Sequence, residues 1–112
     1  MSMGTVLHVN EEDFEREVLE ASRTQPVLVD FYADWCGPCR ALEPVVEELA
    51  QELHGRLKVV KLDVDRNDAL ASKHNVHSIP TLIVFKDGRE VERLIGYMPK
   101  AQLRQALEKH LS

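Results

Sequence analysis

The chain's two cysteines stand together in Trp35-Cys36-Gly37-Pro38-Cys39, and this segment constrains the fold more than any other. It sits where a continuous apolar run, Val27 to Tyr32, gives way to a helical pattern beginning near Pro38. A strand must therefore feed directly into the first turn of a helix. Two thiols with two residues between them close a disulfide with little movement of the backbone. A thiol at that junction also faces the positive end of the helix, which stabilises its thiolate. A disulfide used as a staple would close a long loop. This one closes nearly the smallest loop possible and restrains the unfolded chain little. The motif reads as a reversible dithiol–disulfide centre. Structural zinc needs about four ligands. No second cysteine pair exists, and the five histidines are dispersed, so no metal is expected.

Periodicity organises the rest of the chain. Thr5 to Val9 reads as a short strand, and Asn10 with Asp13 as the start of a helix carrying Phe14, Val18 and Ala21. Pro26 to Tyr32 reads as a strand covered on both faces, broken only by Asp30. The helix opening at the cysteines carries Leu42, Val45, Val46, Leu49 and Leu53, with Pro44 inside the stripe as an expected kink and Gly55 at its end. Leu57 to Asp63 is a second buried strand, broken by Lys61, and a shorter helix follows from about Asn67 to Lys73. Thr81–Phe85 and Glu90–Ile95 flank the tight-hairpin signal Asp87-Gly88. Pro99 suits the first turn of a last helix with Leu103, Leu107 and Leu111. The order βαβαβαββα predicts an α/β fold, a mixed sheet with helices on both faces.

The 112 residues fit one domain, 1–112, without repeats or linkers. No apolar run approaches the roughly 20 residues of a membrane span. Met1 to Val9 lacks the basic region and long apolar core of a secretory signal, so the cytoplasm is expected. Net charge is −5, with basic residues scattered, which argues against nucleic acid as a partner.

Several residues interrupt the packing pattern and so invite a chemical role. A lone carboxyl in a buried strand is costly unless paired, and burial raises its pKa, which singles out Asp30. Lys61 has the same character in the neighbouring strand. Trp35 is expected to shield the sulfurs. Gly37 lets a substrate backbone approach, and Pro38 starts the helix without wasting a donor. Asp63 and Asp65 read as strand-end residues.

Together, Val29 to Arg40, Pro44, Lys61-Leu62-Asp63-Val64-Asp65, Ser78-Ile79-Pro80-Thr81 and Gly96 resemble the thioredoxin family in order and spacing, over about Val6 to Leu111. Tyr32 stands where many members carry tryptophan, and Asn75 and Ser78 where some carry glycine. The resemblance implies a thioredoxin fold, with a central five-stranded mixed sheet flanked by four helices. It implies a protein-disulfide reductase in which Cys36 attacks and Cys39 resolves. Asp30 and Lys61 would meet beneath the Cys36–Cys39 disulfide, with Asp30 handling the Cys39 proton. Pro80 would be cis, and Ile79, Pro80, Gly96 and Tyr97 would line the substrate groove beside Trp35. Gly-Pro between the cysteines goes with a reducing potential in this family, whereas Gly-His or Pro-His goes with isomerases and oxidases. Disulfide-containing proteins would be the substrates of a monomer. Electrons would come from NADPH through thioredoxin reductase, with no cofactor bound to this chain. A binding subunit using the apolar rim around Trp35, Ile79 and Gly96 is the alternative of another class.

Overall fold

A computed structural model describes residues 6–111. Strands β1 (Val6–His8), β2 (Val27–Tyr32), β3 (Lys58–Asp63), β4 (Thr81–Lys86) and β5 (Arg89–Ile95) form a five-stranded sheet in the order β1-β3-β2-β4-β5. Helices α1 (Glu11–Phe14), α2 (Gly37–Glu52), α3 (Asp68–Lys73) and α4 (Lys100–Glu108) complete the expected order. Thr5, the first residue of the expected first strand, lies outside the described residues. β3 runs parallel to both β1 and β2, while β2–β4 and β4–β5 are antiparallel. The sheet is therefore mixed.

Side chains of a strand alternate between faces, and β2 uses both. Leu28 joins Leu42, Val46, Leu49, Leu103 and Leu107, so α2 and α4 cover one face. Val27, Val29 and Phe31 join Phe14, Val18, Ala71 and Phe85, so α1 and α3 cover the other. Burying each such leucine or valine contributes roughly 1.5–3 kcal/mol. The same alternation places Asp30, two residues beyond Leu28, on the face under α2. Lys61, two residues beyond Val59, faces the same way.

The first helical segment departs from the regular helix that Phe14, Val18 and Ala21 suggest. After α1 the chain widens into a π-helical stretch, Glu15–Glu20, and then tightens into a 3₁₀ turn, Ala21–Arg23. The Lys58 ammonium donates to the Glu17 carbonyl at 2.8 Å and to its carboxylate at 2.7 Å. A side chain that takes a backbone carbonyl in this way competes with the helical ladder. At the start of α1, Asp13 Oδ2 accepts the Asn10 N–H at 3.4 Å. α2 runs on through Pro44, and Leu111 packs on the core beyond the end of α4. Asp87 and Gly88 both have positive φ, 54° and 84°, the mirror-image turn that matches strand twist.

Candidate functional site

The end of β2 and the start of α2 place the two cysteines. Cys36 caps α2 in an extended conformation, and Pro38 occupies its first turn. Cys36 and Cys39 form a disulfide with a Cα–Cα distance of 5.2 Å. The Cys39 N–H donates to Cys36 Sγ at 3.2 Å. Cys36 Sγ thus meets a free N–H at the positive end of a helix, the environment that stabilises a thiolate once the disulfide opens. Ala33 packs with the two cysteines, and Tyr32, Val64 and Ile79 border them.

A partly exposed Cys36 over a more deeply placed Cys39 is expected from the motif. In the disulfide form the two are equally enclosed, at 4% and 5% exposure. The bond ties the sulfurs together, and Cys36 Sγ lies 3.8 Å from the Ile79 carbonyl oxygen. Cys39 instead borders a small cleft of about 70 Å³ with Tyr32, Arg40, Glu43 and Lys61.

Asp30 and Lys61 are register partners across β2 and β3 and are both buried, at 2% and 6% exposure. Lys61 Nζ nevertheless bonds to Glu43 Oε2 at 2.9 Å and lies 4.3 Å from the Tyr32 ring centroid. Asp30 Oδ1 is left with no partner among the described residues. Burial raises the Asp30 carboxyl to about 7; the Lys61 charge pulls it down and the Glu43 charge pushes it up. Burial acts to lower Lys61, but its hydrogen bond and attraction to Glu43, joined by weaker attractions to Asp30 and Tyr32, prevail and raise it. Glu43 carries no signal of its own in the sequence beyond standing one helical turn after Cys39.

The Ile79–Pro80 peptide is cis. The Gly96 N–H donates to the Pro80 carbonyl at 2.8 Å, tying the two loops together, and Gly96 has φ +91°. Trp35 precedes Cys36 directly and lies at the surface. It is 69% exposed, and its Nε1–H donates to Asp65 Oδ2 at 2.8 Å. Tyr97 and Ile95 are exposed as well, at 49% and 60%. Ile95 is a rim residue that its position at a strand end conceals. Gly37 is open to solvent, with no atom within 4 Å of where a Cβ would lie. Asn75 adopts φ +58°, a left-handed conformation that glycine and asparagine take more readily than other residues.

Among the described residues no group of three His, Cys, Asp or Glu side chains is placed to hold a metal. None of their helices is long and apolar enough to cross a membrane. The arrangement can carry out thiol–disulfide exchange. The thioredoxin family model matches residues 5–109. The chain is 49% identical over 109 residues to thioredoxin 1 of Nostoc sp., covering 97% of this chain and 100% of that one. It is similarly 49% identical over 109 residues to thioredoxin 1 of Synechococcus elongatus, with the same coverage. Thioredoxin of Staphylococcus aureus is 47% identical over 106 residues, covering 95% of this chain and 98% of its own. A redox disulfide capping α2, on a sheet of this order, is what that family uses for thiol–disulfide exchange, and the chain belongs to the thioredoxin family.

Proposed function

We propose that the chain works as a general protein-disulfide reductase, with Cys36 as the attacking nucleophile and Cys39 as the resolving thiol. The observation that carries this assignment is the Cys39 N–H on Cys36 Sγ at the start of α2. The Cys36 thiolate attacks one sulfur of a substrate disulfide. That bond breaks, a mixed disulfide forms, and the departing substrate sulfur takes up a proton. Cys39 then loses its proton and attacks Cys36 Sγ. The second substrate thiol is released, and the Cys36–Cys39 disulfide closes. Two electrons have passed to the substrate.

Asp30 takes the Cys39 proton in this scheme, and a carboxyl near pH 7 is suited to do so. Lys61 tunes Asp30 by its charge. Ile79, Pro80 and Gly96, with Trp35 and Tyr97 on the rim, receive an extended substrate segment by β-augmentation. Gly37 and Pro38 keep the turn open to it. Electrons return from NADPH through a thioredoxin reductase that reverses the exchange. The chain acts in the cytoplasm as a single-domain monomer over residues 1–112, without nucleic-acid or membrane partners, in electron transport and redox homeostasis.

The reduction potential of the Cys36–Cys39 couple, measured against glutathione or dithiothreitol buffers, tests the direction. A value near −270 mV, the figure characteristic of thioredoxin itself, supports the reductase. A value near about −180 mV or higher reassigns the chain to isomerase or oxidant chemistry.

A further inference from the structure

Lys61 stands between two carboxyl groups and serves the more exposed one. Asp30 is its register partner on β2, projects toward the same helix, and has a buried oxygen with no partner among the described residues. Glu43 lies on α2 with half its side chain in solvent, yet it takes the ammonium at 2.9 Å. The side chain of Lys61 is 7% exposed, and the Tyr32 ring flanks its ammonium. Both Lys61 and Glu43 line the small cleft that Cys39 borders. Among the described residues the other titratable group coupled to Asp30 is the Tyr32 phenol, which the Asp30 charge pushes up. On β4 its register partner is Leu82, and the charges that act on it are those of Lys61 and Glu43.

We infer that Glu43 is a positioning residue, which holds the Lys61 ammonium at the cleft beside Cys39 and so withholds it from Asp30. The kinetic consequence rests on Asp30 being the proton carrier of the proposed function; the electrostatic one does not. With Lys61 held away, Asp30 keeps its proton up to neutral pH. With Lys61 released, an opposite charge at close range would ionise Asp30 well below neutrality and leave its carboxylate too weak a base to draw the Cys39 proton effectively. The Glu43 charge acts in the same direction as its grip on Lys61, so the two contributions must be separated.

The test is a titration of the Asp30 carboxyl carbon by NMR in the disulfide form of the full chain. Glu43→Gln should lower the midpoint by about one pH unit or more. In a Lys61→Met background the same substitution should have little effect, because there is no ammonium to release. An unchanged midpoint in Glu43→Gln overturns the inference. So does an equal fall in both backgrounds, which would mean that Glu43 acts through its own charge alone. Glu43→Asp separates the same two cases with Lys61 intact, should Lys61→Met fail to fold. It keeps the charge but is too short for the 2.9 Å contact, so a lowered midpoint supports the inference and an unchanged one overturns it. No thiol can exchange in the disulfide form. A reductase pH profile unaltered by Asp30→Asn would remove Asp30 from the mechanism and leave this titration unaffected.

Discussion

Trp35 Nε1 donates to the carboxylate of Asp65 at 2.8 Å, thirty positions further along the chain. The bond spans the loop after β2 and the loop after β3. Asp63 prepares it: its Oδ1 accepts the Asp65 N–H at 2.8 Å, a local turn that aims the second carboxylate. The Val64 N–H donates to the Tyr32 carbonyl at 2.9 Å and holds the two loops side by side. An exposed aromatic ring next to the disulfide is thereby given one orientation.

Removing that restraint should affect substrate handling more than folding. Asp65→Ala should lower kcat/KM toward a disulfide-containing protein about five-fold, the equivalent of one hydrogen bond of about 1 kcal/mol. The unfolding free energy should change by less than about 1 kcal/mol, because the bond lies at the surface. Trp35 is the only tryptophan, so fluorescence anisotropy reads its mobility directly and should fall in the variant. Unchanged anisotropy would show that the Asp65 bond does not restrain the ring.

The two cysteines should separate by consequence. Cys36→Ser removes the nucleophile and should abolish turnover. Cys39→Ser keeps the attack but not the resolution, and should accumulate a covalent complex with a disulfide substrate, visible on a non-reducing gel. The asymmetry has to be read this way because the residues are equally buried in the disulfide form. Trapping through Cys39 in Cys36→Ser, at the rate seen for Cys39→Ser, would reverse the assignment.

Much of this arrangement is visible in one dimension. The apolar run over β2 and the stripe along α2 place the cysteines at a strand–helix junction. Asp30 and Lys61 stand out because each breaks a buried strand. What is not visible depends on where flexible side chains go after the backbone has folded. Glu43 looks like any acid on a solvated helix face; its partner becomes apparent only when Lys61 points up toward α2. Asp65 looks like a strand-end residue until two loops bring Trp35 beside it. The widened helix over Glu15–Glu20 is equally hidden, since the Lys58 ammonium that bonds to its Glu17 carbonyl comes from β3, forty-one positions away.

His74 should give the fold an acid-side sensitivity unrelated to the thiols. Its ring lies against Phe14, Phe85 and Phe31, with centroids 5.1, 5.7 and 6.4 Å away. Burial lowers its pKa, and the Lys73 and Arg93 charges add to this against Glu90. A histidine lowered in the folded state takes up its proton more readily when unfolded. Its contribution is therefore complete above the unfolded value of about 6.5 and is lost as pH falls through the folded one. Urea midpoints of wild type and His74→Leu, taken at pH 7.5 and pH 5, should diverge on the acid side, with the wild type losing more. Parallel losses would place the sensitivity elsewhere.

Asp30 should act with the opposite sign. Its folded value is raised to about 7 by burial, against an unfolded value near 4. The folded state therefore holds the proton more tightly, and its contribution is complete below about pH 4 and lost as pH rises through about 7. Three pH units of displacement correspond to roughly 4 kcal/mol. Asparagine imitates the neutral acid at every pH. Its amide adds its own unpaired donor, a cost of about 1–3 kcal/mol that does not vary with pH. The stability of Asp30→Asn relative to wild type should therefore climb by several kcal/mol between pH 4 and pH 8.5, whatever its starting point. Urea denaturation of the oxidised proteins at both pH values measures that climb. The reductase rate of the same variant should fall at neutral pH, where the carboxyl would otherwise take the Cys39 proton. A pH-independent stability difference would show that the folded protein leaves Asp30 ionised, and that the Lys61 ammonium reaches it in solution.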